Sequence, residues 1–221
     1  TDAIATVGVI PVDIKDLGVD ALSLSGNQFY GPKGVGALWV REGVRIIPLL
    51  DGGVQEGGRR AGTENITAIT GLGKAAELAA ADMGARLKHI TRLRDRLLTE
   101  LPARIEHVVV TGDSQSRLPG NASFCVEFIE GEAMLMMLNA KGVAVTSGSA
   151  CTSRALKASH VLIAMGLSNV IAQGSLLFSF GLDNTDEDVD YVLEVLPPVV
   201  DRLRQMSPLY DKFIKDSKGD S

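Results

Sequence analysis

The sequence predicts an α/β fold in which the end of an α/β domain is followed by a smaller α+β domain. Short runs with β-propensity dominate residues 5–50, one long amphipathic helical pattern follows, and strand and helix patterns then alternate towards the C-terminus. We place the boundary inside the long helix, with residues 1–75 in the first domain and residues 76–221 in the second. A chain of 221 residues, of which 45% are apolar, has enough apolar side chains for such cores.

Three runs in the first fifty residues are predicted strands, namely Val7–Ile10, Ala21–Leu24 and Gly36–Val40. They are followed by Asp51–Gly62, which holds five glycines and two arginines and therefore predicts an extended loop. Thr63 is the predicted N-cap of the long helix, because apolar residues then recur at steps of three and four. This pattern ends before Pro102.

The remaining part of the chain predicts a βαβ-like arrangement. The predicted strands are Val108–Val110, Ala122–Phe128, Val143–Thr146 and Leu176–Phe180, and a short helix is predicted at Glu132–Asn139. A final helix begins at Thr185, because Asp188 three residues later completes a capping-box pattern. We expect Pro197 and Pro198 to kink this helix.

Composition and charge exclude several classes of protein. The net charge of −5 argues against a protein that binds nucleic acid by neutralising phosphates. No apolar run is long enough for a membrane helix, and two cysteines without neighbouring ligands predict neither a disulfide framework nor a metal site. We therefore expect a cytoplasmic protein. Because the first residue is Thr1, we also expect the chain to begin inside a longer gene product.

Cys151 is the strongest candidate for chemistry. It lies within Thr146–Ser153, a run of small residues that is typical of a solvent-reachable loop, and a thiol in such a loop is reactive. The alternative, a cysteine that serves only as a small apolar side chain, stays open. Cys125 fits that alternative well, since it lies between Phe124 and Val126.

Two glycine-rich segments are candidate anion sites. Ser25–Gly34 combines glycines with hydroxyl and amide side chains, which is compatible with a phosphate cradle and equally with a plain connecting turn. Arg59 and Arg60 precede the start of the long helix, where a second anion site and an ordinary surface loop are both compatible with the pattern.

The motifs together resemble the NifS/IscS-type cysteine desulfurases, in family order along the chain. They are Asp2-Ala3, Ser25-Gly26, Tyr30–Leu38, Arg60–Asn65, Glu130–Glu132 and Ser147–Ser153. The resemblance implies the C-terminal portion of a large domain of pyridoxal phosphate (PLP) fold type I, followed by a small α+β domain with the loop cysteine. It also implies a dimer that takes sulfur from L-cysteine as a persulfide and passes it to an iron–sulfur scaffold.

The resemblance implies a role for each matching residue. Cys151 is the persulfide carrier, Asp2 is the partner of the pyridine nitrogen and Ser25 is a phosphate ligand. Thr63 is a phosphate ligand that reaches into the site of the other subunit. Asn27 stands where the family has the histidine that precedes its Schiff-base lysine, so we count it among the cofactor contacts.

Three positions depart from the family pattern. Gln28 stands where the family lysine forms the Schiff base, and an amide nitrogen has no basic lone pair for an imine or a proton relay. Ala5 replaces a glutamine that contacts the cofactor, and Leu177 replaces the arginine that binds the substrate carboxylate. Lys33 is close to Gln28 in the sequence, but the family carries a lysine there without that role.

These departures lead to the hypothesis of a desulfurase-like protein without unaided activity. Cys151 then accepts or relays sulfur, or ligates an iron–sulfur cluster in a complex, and PLP is bound without an imine or not at all. One alternative is an active PLP enzyme that a second chain with the N-terminal half completes. Another is a structural subunit that binds a scaffold protein. The expected partners are a second copy or such an N-terminal half, and a sulfur acceptor.

Overall fold

The computed structural model describes residues 1–147 and 158–219, and the chain divides into two compact units, Thr1–Leu87 and Lys88–Ser221. Each unit has its own sheet. Strands β1 (Ala21–Ser25) and β2 (Gly36–Val40) pair in the first unit, and β3 (Val108–Val110), β4 (Asn121–Val126) and β5 (Ser175–Ser179) pair in the second. The α/β fold predicted from the sequence is confirmed at this level.

The first unit is built on the antiparallel pair β1–β2, whose register runs from Ala21 opposite Val40 to Ser25 opposite Gly36. Both strands were predicted. A short helix α1 (Ile14–Leu17) precedes β1, and a 3₁₀ helix (Gly26–Phe29) follows it. A small apolar cluster forms where Phe29 contacts Ala75 and Ala79.

The predicted strand at Val7–Ile10 is wrong. This segment forms consecutive turns, in which the backbone N–H groups of Val7 and Ile10 donate to the carbonyls of Ala3 and Thr6 at 3.0 Å. Gly8 has a φ of +78°, and a Cβ atom there would lie 2.5 Å from Cβ of Phe29. Val7 therefore packs against the apolar cluster of Phe29 instead of joining a sheet.

The long helix α3 (Ile66–Arg104) starts later and ends later than predicted. Thr63 is not its N-cap, because the side-chain oxygen of Asn65 accepts the backbone N–H of Ala68 at 3.2 Å. Pro102 lies inside the helix. Leu101 and Ile105 on either side are buried, and their packing outweighs the one hydrogen bond that a proline removes. The loop before α3 contains one short helical turn, α2 (Gln55–Gly58).

The second unit has an antiparallel sheet in the order β3-β4-β5, so the βαβ-like arrangement is wrong, because a βαβ unit needs parallel strands. Strand β4 ends at Val126, before the point predicted, since Phe128 has a φ of +74°. Val143–Thr146 is not a full strand. Only Thr146 pairs with β5, through two backbone hydrogen bonds with Leu177 of 3.1 and 2.7 Å.

Helices α4 (Gly131–Asn139) and α7 (Asp186–Gln205) and the end of α3 cover one face of this sheet. The core there includes Leu93, Leu97, Phe124, Met134, Leu138, Leu176, Leu193 and Leu196. The capping box of Thr185 and Asp188 is confirmed, and α7 stays helical through Pro197 and Pro198. The other face carries α5 (His160–Ala164) and α6 (Asn169–Gln173) against Cys125. In the described residues no helix meets the length and apolarity that a membrane span requires.

A buried arginine of α7 contacts the backbone before β3 and two aromatic rings of the second unit. Arg204 is 5% exposed, and its terminal nitrogen donates to the carbonyl of Glu106 at 2.8 Å. Its guanidinium lies 5.4 Å from the ring centre of Tyr210 on the last helix, α8 (Pro208–Gly219), and 6.0 Å from that of Phe128. Arg204 therefore connects α7 to the backbone before β3 through this hydrogen bond, and to the two rings through cation–π contacts.

Replacing Arg204 by alanine should lower the free energy of unfolding by about 3 kcal/mol, because the Glu106 carbonyl loses its donor, the two rings lose their cation and a buried side chain no longer packs. Chemical denaturation followed by circular dichroism measures this loss. Arg202→Ala is the matched control, since Arg202 is exposed on the same helix. Equal midpoints for the two variants would contradict the role assigned to Arg204.

Candidate functional site

Asp2 lies beside strand β1, where residues 1–3 form a parallel bridge between Asp2 and Ser23. One carboxylate oxygen of Asp2 accepts the backbone N–H of Ile4 at 2.8 Å and the hydroxyl of Ser23 at 3.3 Å. Asp2 is exposed. As an exposed carboxylate, Asp2 can also accept a hydrogen bond from a ligand.

Ser25 and Asn27 are brought together at the C-terminal end of β1. The hydroxyl of Ser25 donates to the side-chain carbonyl of Asn27 at 2.6 Å. A serine that binds phosphate has to donate that same proton to the ligand, so Ser25 must first break its bond to Asn27. The exposed amide group of Asn27 is then the nearest alternative donor.

Gln28 follows on the exposed side of the 3₁₀ helix, while its neighbour Phe29 is 2% exposed and anchors the turn. The helix ends at Tyr30, which has a φ of +70°, and the N–H of Gly31 closes the turn on the carbonyl of Gly26 at 2.8 Å. The backbone of this turn is therefore well defined around Gln28. Its side chain offers an amide and no amine.

Thr63 is exposed in the loop between α2 and α3. Nearby, the guanidinium of Arg60 donates to the carbonyl of Ala61 at 2.7 Å, and Gln55 accepts the N–H of Gly62 at 3.1 Å. These bonds shape the loop and do not connect Thr63 with Ser25 or Asp2. Thr63 as a phosphate ligand of another subunit stays a prediction.

Cys125 and Leu177 belong to the second unit. Cys151 lies outside the described residues. Cys125 is completely buried on β4, and this burial raises the pKa of its thiol to about 11. Leu177 is half-buried on β5 opposite Ser123, so its side chain offers apolar contact and no charge. Among the described residues there is no group of three or more His, Cys, Asp or Glu suited to a metal ion.

The residues that the family resemblance places around PLP do not fit a covalently held cofactor. An imine needs a primary amine, and the residue that the family resemblance places at that position is Gln28. Ala5 is exposed and offers no side-chain hydrogen bond. Asp2, Ser25 and Asn27 retain polar groups that could contact a bound molecule without a covalent bond.

The chain belongs to the aminotransferase class-V family, whose model matches residues 1–192. Its curated relatives include a cysteine desulfurase of Gluconacetobacter diazotrophicus, 52% identical over 96% of this chain and 53% of that protein. The cysteine desulfurase IscS of Methanosarcina thermophila is 51% identical over 96% of this chain and 52% of its own length. The chain thus spans about half the length of the curated relatives it matches.

Solved structures agree with this assignment. A NifS-like protein superposes with a TM-score of 0.81 at 35% identity, covering 91% of this chain and 52% of the other. The NifS-like protein of Rickettsia africae superposes with a TM-score of 0.82 at 28% identity, covering 90% of this chain and 52% of the other. The resemblance found from the motifs is therefore confirmed, and the fold is that of NifS-like proteins.

Ser23 is the residue that the sequence reasoning missed. It contacts Asp2, and it alternates with Leu22 and Leu24 so that Ser23 and Ser25 share one face of β1. The alternation of Leu and Ser from Leu22 to Ser25 was the available signal. No signal in the sequence predicts that residues 1–3 pair with β1.

We expect iodoacetamide at pH 8 to leave Cys125 unmodified in the folded protein and to modify it after denaturation. The raised pKa, about 11, keeps this thiol protonated, and burial blocks the reagent. Peptide mapping by mass spectrometry measures the modification, with Cys125→Ala as control. Equal labelling of Cys125 with and without denaturant would contradict this assignment.

The raised pKa of Cys125 also makes the free energy of unfolding depend on pH. Because an unfolded cysteine has a pKa of about 8.5, the contribution of the protonated Cys125 thiol to this free energy is complete below that pH, and it is lost as the pH rises towards about 11.

Proposed function

We propose that this protein acts in sulfur transfer for iron–sulfur cluster assembly, with Cys151 as the acceptor of a persulfide sulfur and without unaided cleavage of L-cysteine. The observation that carries the proposal is Gln28, an exposed amide on the turn where the family places its Schiff-base lysine. Relatives named cysteine desulfurase, at 52% and 51% identity, support the sulfur chemistry.

Cleavage of the carbon–sulfur bond of cysteine needs an amine for the imine and for the proton relay. Gln28 supplies neither, and loss of a proton relay alone costs roughly 10²- to 10⁴-fold in rate. Leu177 adds a second loss, because an apolar side chain cannot pair with the substrate carboxylate. Gln28 lies in the first unit and Leu177 in the second. Two separate departures from the family pattern support loss of the whole cleavage reaction more than one isolated substitution would.

Sulfur acceptance needs much less. The thiolate of Cys151 attacks the outer sulfur of a donor persulfide, the sulfur–sulfur bond of the donor breaks, and the donor leaves as a thiolate. The step needs no oxidant, because the donor sulfur already has the oxidation state of the product. Transfer from Cys151 to an acceptor thiol repeats the same exchange.

A second copy of the chain is the proposed partner of the first unit. Ile47, Leu49 and Val54 are 95%, 96% and 85% exposed, and they lie in one stretch before α2. Apolar side chains this exposed and this close in sequence are typical of surfaces that become buried on association. We therefore propose a dimer, with a sulfur donor and a sulfur acceptor as further partners.

A second candidate function is that of an active PLP enzyme completed by another polypeptide. The parallel bridge between Asp2 and Ser23 favours it, because parallel pairs normally lie in larger sheets covered on both faces. The relatives are about twice as long as this chain, so a second polypeptide could supply the part of their length that this chain does not match. In this candidate the lysine comes from the other polypeptide.

Reduced protein treated with glutathione persulfide should gain one sulfur atom on the peptide that contains Cys151. Cys151→Ser should lose this mass increase, and Cys125→Ala should keep it, because Cys125 is buried. Intact-mass and peptide mass spectrometry measure the adduct. An unmodified Cys151 peptide, or the same adduct in Cys151→Ser, would refute sulfur acceptance at this residue.

The protein with added PLP should release alanine from L-cysteine at least about 10²-fold more slowly than a cysteine desulfurase assayed alongside it. Borohydride reduction followed by peptide mapping checks that no lysine forms an imine with PLP in place of Gln28. Lys33→Ala is the control, because Lys33 is the lysine nearest to Gln28 in the sequence. Alanine release by the protein alone would falsify the proposal. Release only after addition of the N-terminal half of a cysteine desulfurase would select the second candidate.

A further inference from the structure

Helix α8 is attached to the rest of the second unit by few contacts. None of its side chains from 208 to 217 is buried, and three are half-buried, whereas α7 buries eight residues. Its main attachment is the ring of Phe213, which stacks on the ring of Phe128 at 4.8 Å and meets that of His107 edge-on at 4.9 Å. An element with so little buried apolar surface can open at a low cost in free energy.

Arg204, beside this helix, is a buried cation without a carboxylate partner. It is 5% exposed, and its hydrogen bonds among the described residues go to the main-chain carbonyls of Glu106, His107 and Glu127, at 2.8, 3.4 and 3.5 Å. Its Nε atom has no hydrogen-bond partner in that part of the chain. Burial lowers the pKa of Arg204. Because buried charges are normally paired, this guanidinium is suited to binding a carboxylate.

The helix that lies against Arg204 does not supply this negative charge. Its two exposed acids, Asp211 and Asp216, are accompanied by Lys212 and Lys215, so the side chains from 208 to 217 carry no net charge. Its contact with the guanidinium is the ring of Tyr210, whose centre lies at 5.4 Å. Such a cation–π contact is generally weaker than a charge-assisted hydrogen bond to a carboxylate.

We propose that His107, Phe128 and Arg204 form a docking surface for an acidic segment of a partner protein that carries one aromatic residue, and that α8 covers this surface until the segment binds. The aromatic side chain of the segment takes the place of Phe213, and one of its carboxylates accepts a hydrogen bond from Nε of Arg204. Displacement of α8 loses the ring contacts of Phe213 and gains the counter-charge for the buried cation. This surface does not depend on the proposed sulfur chemistry.

The test measures binding of the fluorescein-labelled peptide Glu-Glu-Phe-Glu-Glu to the full chain at pH 7 by fluorescence anisotropy. The matched peptide Gln-Gln-Phe-Gln-Gln keeps the ring and removes the carboxylates. Because the net charge of the protein is −5, non-specific attraction of an acidic peptide is disfavoured, and its binding reports a local site. We expect the acidic peptide to bind at least about tenfold more tightly than the amide peptide. Equal affinities, or binding of neither peptide, would overturn the proposal.

Phe213→Ala tests whether α8 covers the surface. Loss of this ring weakens the attachment of α8, so the uncovered state becomes more populated and the acidic peptide should bind about tenfold more tightly than to the native protein. Leu209→Ala is the matched control, because Leu209 is 52% exposed on the same helix, and it should leave the affinity unchanged. An affinity of Phe213→Ala equal to or below that of the native protein would contradict the covering role of α8.

Arg204→Lys tests the guanidinium, because it keeps a cation and removes the Nε donor. We expect the affinity for the acidic peptide to fall about tenfold, and an unchanged affinity would exclude Arg204 as the binding group. If this variant does not fold, hydrogen exchange of the native protein decides the outcome. The amides of α8 should exchange faster with the acidic peptide bound than with the amide peptide present, and equal exchange would overturn the proposal.

Discussion

The pairing of β5 with β4 is the constraint on which the second unit depends. It places Phe124 opposite Leu176, both fully buried, and it brings the rings of Phe124 and Phe178 to 6.1 Å. Because side chains alternate along a strand, the same register turns Leu177 to the opposite face and fixes where Thr146 joins the sheet. A shift by one residue would exchange the core side chains with those of the other face.

The fold and the chemistry depend on different residues in this protein. Side chains that hold the units together, such as Phe29, Phe124 and Leu176, are buried, whereas Ala5 and Gln28 are exposed and Leu177 is half-buried. Substitutions at exposed positions usually change stability by less than about 0.5 kcal/mol. The reactive groups can therefore be lost while the chain still folds as its desulfurase relatives do, and likeness of fold carries no proof of activity.

The sequence predicts those parts of the fold that depend on local patterns. The β1–β2 pair and the capping box at Thr185 were predictable because alternation and cap residues act within a few positions. The start of α3 was missed because both Thr63 and Asn65 are good caps, and only the structure shows that Asn65 bonds to Ala68. Contacts between distant residues, such as Asp2 with Ser23 or Ser175 with Ser147, leave no spacing in the sequence from which to predict them.

The two halves of cysteine desulfuration make unequal demands on a protein. Breaking the carbon–sulfur bond requires an amine, a carboxylate contact and a cofactor at fixed distances, and because these groups act as a unit the loss of one of them removes much of the rate. Passing on a sulfur atom that is already a persulfide requires one accessible thiol and a means of limiting its conformations. Cys125 is buried with a raised pKa and does not meet this demand, so under the proposed function the demand falls on Cys151. A protein of this family without that amine would thus lose the first half of the reaction and could still carry out the second half with one thiol.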